Sequence, residues 1–90
     1  MQSCEITIIN KLGLHARAAA KFVGVANRYP CDVRVGRCQS SLVDGKSIMA
    51  VMMLAASKGT TLHLQAEGEQ EREVIEALTA LIEDFFEEGE

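Results

Sequence analysis

From Thr60 to Ala66 the chain alternates without a break, with Leu62, Leu64 and Ala66 on one side and Thr61, His63 and Gln65 on the other. A strand written this way has one face for a core and one for water. A sheet of such strands needs cover on one face only, which favours antiparallel pairing with helices gathered on that face. Cys4 to Ile9 repeats the pattern, with Cys4, Ile6 and Ile8 inward and Glu5 and Thr7 outward. Between these segments Ala19, Phe22, Val23 and Ala26 recur at helical spacing and predict a helix from Ala16 to about Asn27. Tyr29-Pro30 ends it, because the residue before proline avoids the α region.

Asp32 to Val35 and Ser41 to Val43 read as two short strands around a turn at Gly36. Asp44-Gly45 turns the chain, and Ser47 reads as the N-cap of a short helix from Ile48 to about Leu54. After a turn at Lys58-Gly59 and the alternating strand, a last helix runs from Gln70 to about Phe86. It buries Val74, Ala77, Leu78, Leu81 and Ile82, with Phe85 closing the stripe. The order β-α-β-β-α-β-α, without repeat or linker, predicts one α+β domain over residues 1–90.

Several function classes fall away. The longest apolar-rich run, Ile48 to Ala56, is far too short to span a membrane. Met1-Gln2-Ser3-Cys4-Glu5 has neither the basic segment nor the apolar run of an export signal, so a cytoplasmic protein without membrane insertion is expected. Cys4, Cys31 and Cys38 are odd in number and form no C-x-x-C pair, which fits reduced thiols with no metal or disulfide role. A sheet that reads RNA needs aromatic residues on its strands, whereas Phe22, Tyr29, Phe85 and Phe86 fall in or beside helices, so no nucleic-acid partner is expected. Gly45-Lys46-Ser47 resembles the end of a phosphate-binding P-loop, but Ser40 stands where the first glycine belongs. No nucleotide or other cofactor is implied. That leaves Ser47 as either a plain N-cap or a regulated serine.

Gly13-Leu14-His15-Ala16-Arg17 carries the chemistry. An imidazole stands where the first helix begins, beside unpaired backbone N–H groups and the positive end of the helix dipole. That end favours the neutral, nucleophilic ring, and Arg17 supplies rigid donors suited to phosphate. A histidine near a helix start is also an ordinary cap or surface residue, and these features alone leave both readings open. Charge adds a context. Residues 1–60 carry a balance of +5 and residues 61–90 one of −9, with Lys11, Arg17 and Lys21 expected to cluster around His15. Such a rim attracts phosphate and steers an acidic partner. Val51 and Leu54 read as core, while Met49 and Met52 are adaptable contact residues suited either to core or to an exposed partner surface. His63 points outward without an evident partner and reads as incidental.

Asn10-Lys11-Leu12-Gly13-Leu14-His15-Ala16-Arg17, followed by Val43-Asp44-Gly45-Lys46-Ser47-Ile48-Met49-Ala50-Val51-Met52-Met53-Leu54, resembles the HPr family. These are the histidine-containing phosphocarriers of the bacterial phosphoenolpyruvate-dependent phosphotransferase system. The resemblance covers nearly the whole chain. It implies an open-faced β-sandwich, with a four-stranded antiparallel sheet in the order 1-4-2-3 under three helices. It makes His15 the residue phosphorylated, through Nδ1, and Arg17 the guanidinium that balances the phosphate. Ser47 becomes the counterpart of a regulatory serine, the target of a serine kinase. Ala20, Ile48, Met49 and Met52 become the docking patch for enzyme I and enzyme IIA. The implied role is a monomeric carrier and not an enzyme.

One residue departs from the family pattern His-x-Arg-Pro, because Ala18 replaces the proline. Proline suits a first helical turn, where its missing N–H has no helical partner. Ala18 restores that N–H, which either bonds to the cap or adds a donor near the phosphate. The Ala16-Arg17-Ala18-Ala19 run, the methionine-rich second helix and the acidic tail most resemble the nitrogen-related branch, NPr. The rival reading is a regulatory binding protein whose phosphorylation state controls a target. An acylphosphatase-like hydrolase would need a phosphate loop and a water-positioning amide, and no convincing pair is present.

Overall fold

The alternating strand lies inside a sheet. In the computed structural model, which describes residues 1–87, the strands are β1 (Gln2–Thr7), β2 (Asp32–Gly36), β3 (Val43–Asp44) and β4 (Thr61–Glu67). The helices are α1 (Ala16–Ala26), α2 (Ile48–Met52) and α3 (Glu71–Glu83), and a 3-10 turn follows over Phe85–Glu87. The end of the acidic run, residues 88–90, lies outside the described residues. The strands pair antiparallel in the order β1-β4-β2-β3, as the family resemblance implies. Leu64 stands opposite Cys4 on one side and Val35 on the other, so β4 is bonded along both edges.

Helix α3 packs on β1 and β4, and α1 lies against both α2 and α3. Between the helices and the sheet, Ile8, Phe22, Leu62, Leu64, Leu78, Ile82 and Phe86 are fully buried. The opposite face carries the exposed Thr61 and the half-buried His63 and Gln65, with Gln39 and Leu42 of the β2–β3 connection beside them.

Several boundaries differ from the sequence reading: β1 ends at Thr7 rather than Ile9, β2 runs through Gly36 where the turn is expected, and β4 is shifted one residue on, while other differences have a local reason. Strand β1 starts at Gln2, ahead of the expected Cys4, because its ladder with β4 continues to the Gln2–Ala66 pair. Strand β3 begins at Val43, later than the expected Ser41. The carbonyl of Ser41 lies only 2.5 Å from where a Cβ on Gly36 would stand, so the chain first crosses tightly over β2 and pairs afterwards. Helix α2 stops at Met52 because Met53 caps it and Ala55 takes a left-handed φ of 51°. Helix α1 buries Ala18 together with Ala19, Phe22 and Ala26, leaving Val23 half-buried, so its stripe is rotated slightly from the expected one.

The largest correction is at the chain's end. Helix α3 stops at Glu83, and Phe85, Phe86 and Glu87 take φ values of 54°, 53° and 65°. This left-handed turn sends Phe86 into the core and leaves Phe85 half-buried, so Phe86 closes the stripe. The Lys21 ammonium holds the turn by donating to the Phe86 carbonyl at 2.8 Å. At its other end α3 has no side-chain cap from Gln70, which is itself left-handed at φ 65°. Instead Glu71 accepts the Gly68 N–H at 3.0 Å and an ion pair from the Met1 ammonium at 2.9 Å. The hydrogen bond from that ammonium, then the one from Gly68, holds the Glu71 carboxyl below its ordinary range.

Phe86→Ala is expected to destabilise the fold by about 3–5 kcal/mol in urea unfolding, the usual cost of deleting a buried aromatic ring. Phe85→Ala should cost less than half of that. Equal costs would mean that the stripe closes on Phe85 after all.

Candidate functional site

The segment before α1 is fixed by short contacts that leave little freedom to the histidine. Asn10 is fully buried, and its Nδ2 donates to the Gly13 carbonyl at 2.8 Å. The Gly13 N–H returns to the Asn10 carbonyl at 3.2 Å, and the Leu14 N–H donates to the Ala56 carbonyl at 2.8 Å. Gly13 has φ 68°, and a Cβ on it would stand 2.5 Å from the Ala56 oxygen. Only glycine fits both the backbone angle and the space. Leu14 is buried beside it and anchors the loop to the core.

His15 follows as the N-cap of α1, with extended backbone at φ −76° and ψ 179°. Its carbonyl receives the first helical bond, from the Ala19 N–H at 2.8 Å. The N–H groups of Ala16, Arg17 and Ala18 therefore stand outside the helical ladder. The His15 side chain makes no capping hydrogen bond, so the version in which the Ala18 N–H bonds to the cap is not seen. Those three donors and the dipole of an 11-residue helix make an anion-favouring end beside an imidazole.

The expected cluster of cations is smaller than the sequence suggests. Arg17 and Lys11 are exposed and make no ion pair among the described residues. Lys21 is committed elsewhere, to the Phe86 carbonyl and to Glu87 at 3.9 Å. The folded-back end of the chain captures it. Lys46 is also occupied, donating to the Tyr29 carbonyl at 2.7 Å. It staples the turn before α2 to the loop after α1.

Ser47 caps α2, accepting the Ala50 N–H on Oγ at 3.3 Å, and is half-buried. Helix α2 has five residues and buries only Val51, so its other apolar side chains meet solvent. Ile48, Met49 and Met52 are all exposed, as is Ala20 on α1, against which α2 packs. Met53 at 80% and Leu12 at 70% exposure are further exposed apolar side chains that sequence reasoning missed. The early end of α2 frees Met53, and Leu12 sits in a loop where no periodicity could flag it. Leu54, expected in the core, is half-buried.

Away from this region, His63 has a neighbour that the sequence did not supply. The β1–β4 register places Glu5 opposite it, with the carboxylate 3.5 Å from Nδ1. Among the described residues no group of three or more His, Cys, Asp or Glu is arranged to hold a metal. Cys4, Cys31 and Cys38 are all free.

Comparison with known proteins adds a family to this geometry. The family described as "PTS HPr component phosphorylation site" matches residues 2–84. The chain is 74% identical to the phosphocarrier protein HPr of Pseudomonas aeruginosa over 90 residues, covering all of both chains. It is 53% identical to the HPr of Neisseria meningitidis serogroup A over 86 residues, covering 96% of each. Among solved structures, an HPr from Thermoanaerobacter tengcongensis superposes with a TM-score of 0.91 at 44% identity, covering 98% of each chain.

Two glycines separate geometric need from simple propensity. Gly13→Ala is expected to cost at least about 2 kcal/mol in urea unfolding, because it combines a left-handed φ with a backbone clash. Gly24→Ala, on the exposed face of α1 with nothing near its Cβ position, should stabilise by about 0.5–1 kcal/mol. Similar effects at the two sites would contradict the tight Gly13–Ala56 approach.

Proposed function

Since this chain belongs to the HPr family of phosphotransferase-system phosphocarriers, we propose that His15 is the residue that accepts and donates its phosphoryl group. The observation that carries this reading is His15 at the N-cap of α1, beside three N–H groups outside the ladder and an uncommitted Arg17. Nδ1 attacks phosphorus as the P–N bond to a histidine of enzyme I breaks, and the electron pair of that bond returns to the departing imidazole. The second transfer repeats the exchange on a histidine of enzyme IIA. No net oxidation occurs, and the carrier is regenerated. Arg17 and the N–H groups of the first turn balance the charge of the phosphoryl group, while the partner protein supplies the remaining positioning.

Ala20, Ile48, Met49 and Met52 form the proposed docking patch, extended by Met53 and Leu12. A small apolar surface beside basic residues suits the fast, weak association that a relay needs. Ser47 is the proposed regulatory serine. Its position next to Ile48 and Met49 would bring a phosphate's negative charge to that apolar patch. We assign the chain to the nitrogen-related branch on Ala18, the methionine-rich α2 and the acidic end, and read it as a cytoplasmic monomer with one domain. A regulatory output, through binding of one phosphorylation state to a target, uses the same surface.

The direct test is incubation with phosphoenolpyruvate and purified enzymes I of the carbon and nitrogen branches. The expected product carries one acid-labile, base-stable phosphoryl group, and the faster enzyme I assigns the branch. His15→Ala should accept none. Arg17→Ala should slow transfer by roughly ten- to a hundredfold without loss of stability. Phosphorylation of His15→Ala at another histidine would overturn the assignment. Ala18→Pro should shorten the phosphohistidine lifetime if the restored N–H is a phosphate donor, and an equal lifetime would remove that role. Met49→Glu with Met52→Glu should raise the KM for enzyme I while leaving the unfolding curve little changed.

A further inference from the structure

Strand β1 is an edge strand, and its free edge borders a groove that the relay does not use. The Ile8 N–H bonds to the Thr60 carbonyl, and the Ile8 carbonyl accepts from Gly59, so even-numbered residues of this segment turn their backbone groups towards β4. By the alternation of a strand, the N–H and carbonyl groups of Ser3, Glu5 and Thr7 point the other way. Among the described residues nothing pairs with them. Such an edge is a template for another strand.

Beside that edge runs a groove of about 390 Å³, between β1 and the outer side of α3. Ile6, Ile75, Thr79 and Ala80 line it, and Cys4 closes its floor against Thr79, with Sγ 3.9 Å from Oγ1. Glu5, Glu76 and Glu83 stand on its rim, all exposed, and no cation is among its lining residues. Helix α1 separates α3 from α2, so this flank is distinct from the docking patch on α2.

We infer that the β1 edge and its groove bind an extended segment of a partner protein in which apolar residues alternate with lysine or arginine. The added strand bonds to Ser3, Glu5 and Thr7 and seats its apolar side chains between Ile6 and Ile75, which turns its cations to the Glu5 face of the sheet, while Glu76 and Glu83 across the groove add a longer-range negative field. This is strand addition, with main-chain bonds supplying affinity and the groove and rim supplying choice. A second copy of this chain fits poorly, since pairing two such edges would bring two acidic rims together. The inference does not rest on the relay reading, because none of its residues belongs to the His15 site.

The test uses the full chain, labelled with ¹⁵N, and a capped peptide alternating lysine and valine. Its counterpart, alternating glutamate and valine, serves as the charge control. The lysine peptide should slow amide exchange at Ser3, Glu5 and Thr7 and shift resonances from Ile75 to Glu83, with weaker binding as salt is raised. The glutamate peptide should leave both regions unchanged. Glu5→Lys should weaken the lysine peptide by about three- to tenfold, and Glu76→Lys with Glu83→Lys by less, as expected for a nearer and a farther exposed charge. Unfolding curves of these variants establish that they are folded, and phosphoryl acceptance at His15 should be unaltered in them. Shifts confined to the α2 patch, equal binding of the glutamate peptide, or undiminished binding by Glu5→Lys would overturn the inference. So would protection of Ser3, Glu5 and Thr7 arising from concentration-dependent dimerisation without peptide, which would give the edge to a second copy.

Discussion

Strand β4 is the constraint on which the other elements depend. It is bonded on both edges and covered on one face, so β1 and β2 both take their register from it. A slip of one residue in either pairing would turn a buried side chain such as Ile8 or Val35 to the open face. Helix α3 begins four residues after β4 ends and packs back on β4 and β1. With α3 fixed, α1 has one side to pack against, and α2 packs on α1 in turn. The positions of His15 and of the methionine surface are thus consequences of a strand that touches neither.

A second constraint joins those two consequences. The Leu14 N–H donates to the Ala56 carbonyl where Gly13 has no side chain, so the loop entering α1 rests on the segment leaving α2. Two motifs about thirty residues apart in sequence are thereby parts of one surface. The glycine is needed for contact as much as for conformation. Lys46, bonded to the Tyr29 carbonyl, ties the other end of α1 to the turn before α2. The helix pair is held at both ends, which suits a site whose imidazole must meet different partners in one geometry.

Much of this was legible because the signals were periodic. The alternation at Leu62, Leu64 and Ala66 and the stripe at Val74, Leu78 and Ile82 identify elements whose burial the fold reproduces. What escaped was fixed by single long-range contacts. The left-handed turn that buries Phe86 depends on a carbonyl bond from Lys21, 65 residues earlier, and no local pattern encodes it. The same bond commits Lys21, which the sequence sets among the cations expected around His15, to the end of the chain. Glu5 beside His63 is similar, since only the register brings them together. At the site, His15 and Arg17 were legible from residue type and position, while the exposure of Met53 followed from where α2 happened to stop and that of Leu12 from a loop with no periodicity.

The uneven charge along the sequence becomes a division between flanks once the helices are in place. Acidic residues crowd α3 and its approach, and near the N-terminus of α1 Lys11 and Arg17 make no ion pair among the described residues. Helix α1 stands between the α2 patch and α3, and the β1 edge lies on the α3 side. A partner drawn to the phosphoryl site is selected for negative charge, and the same selection repels it from the Glu5, Glu76 and Glu83 rim. A basic strand experiences the opposite preference. One small chain can therefore present two surfaces that do not compete for the same class of partner. Field strength falls with a Debye length of about 8 Å at physiological ionic strength, so the flanks of a molecule 32 Å in its longest dimension act nearly independently.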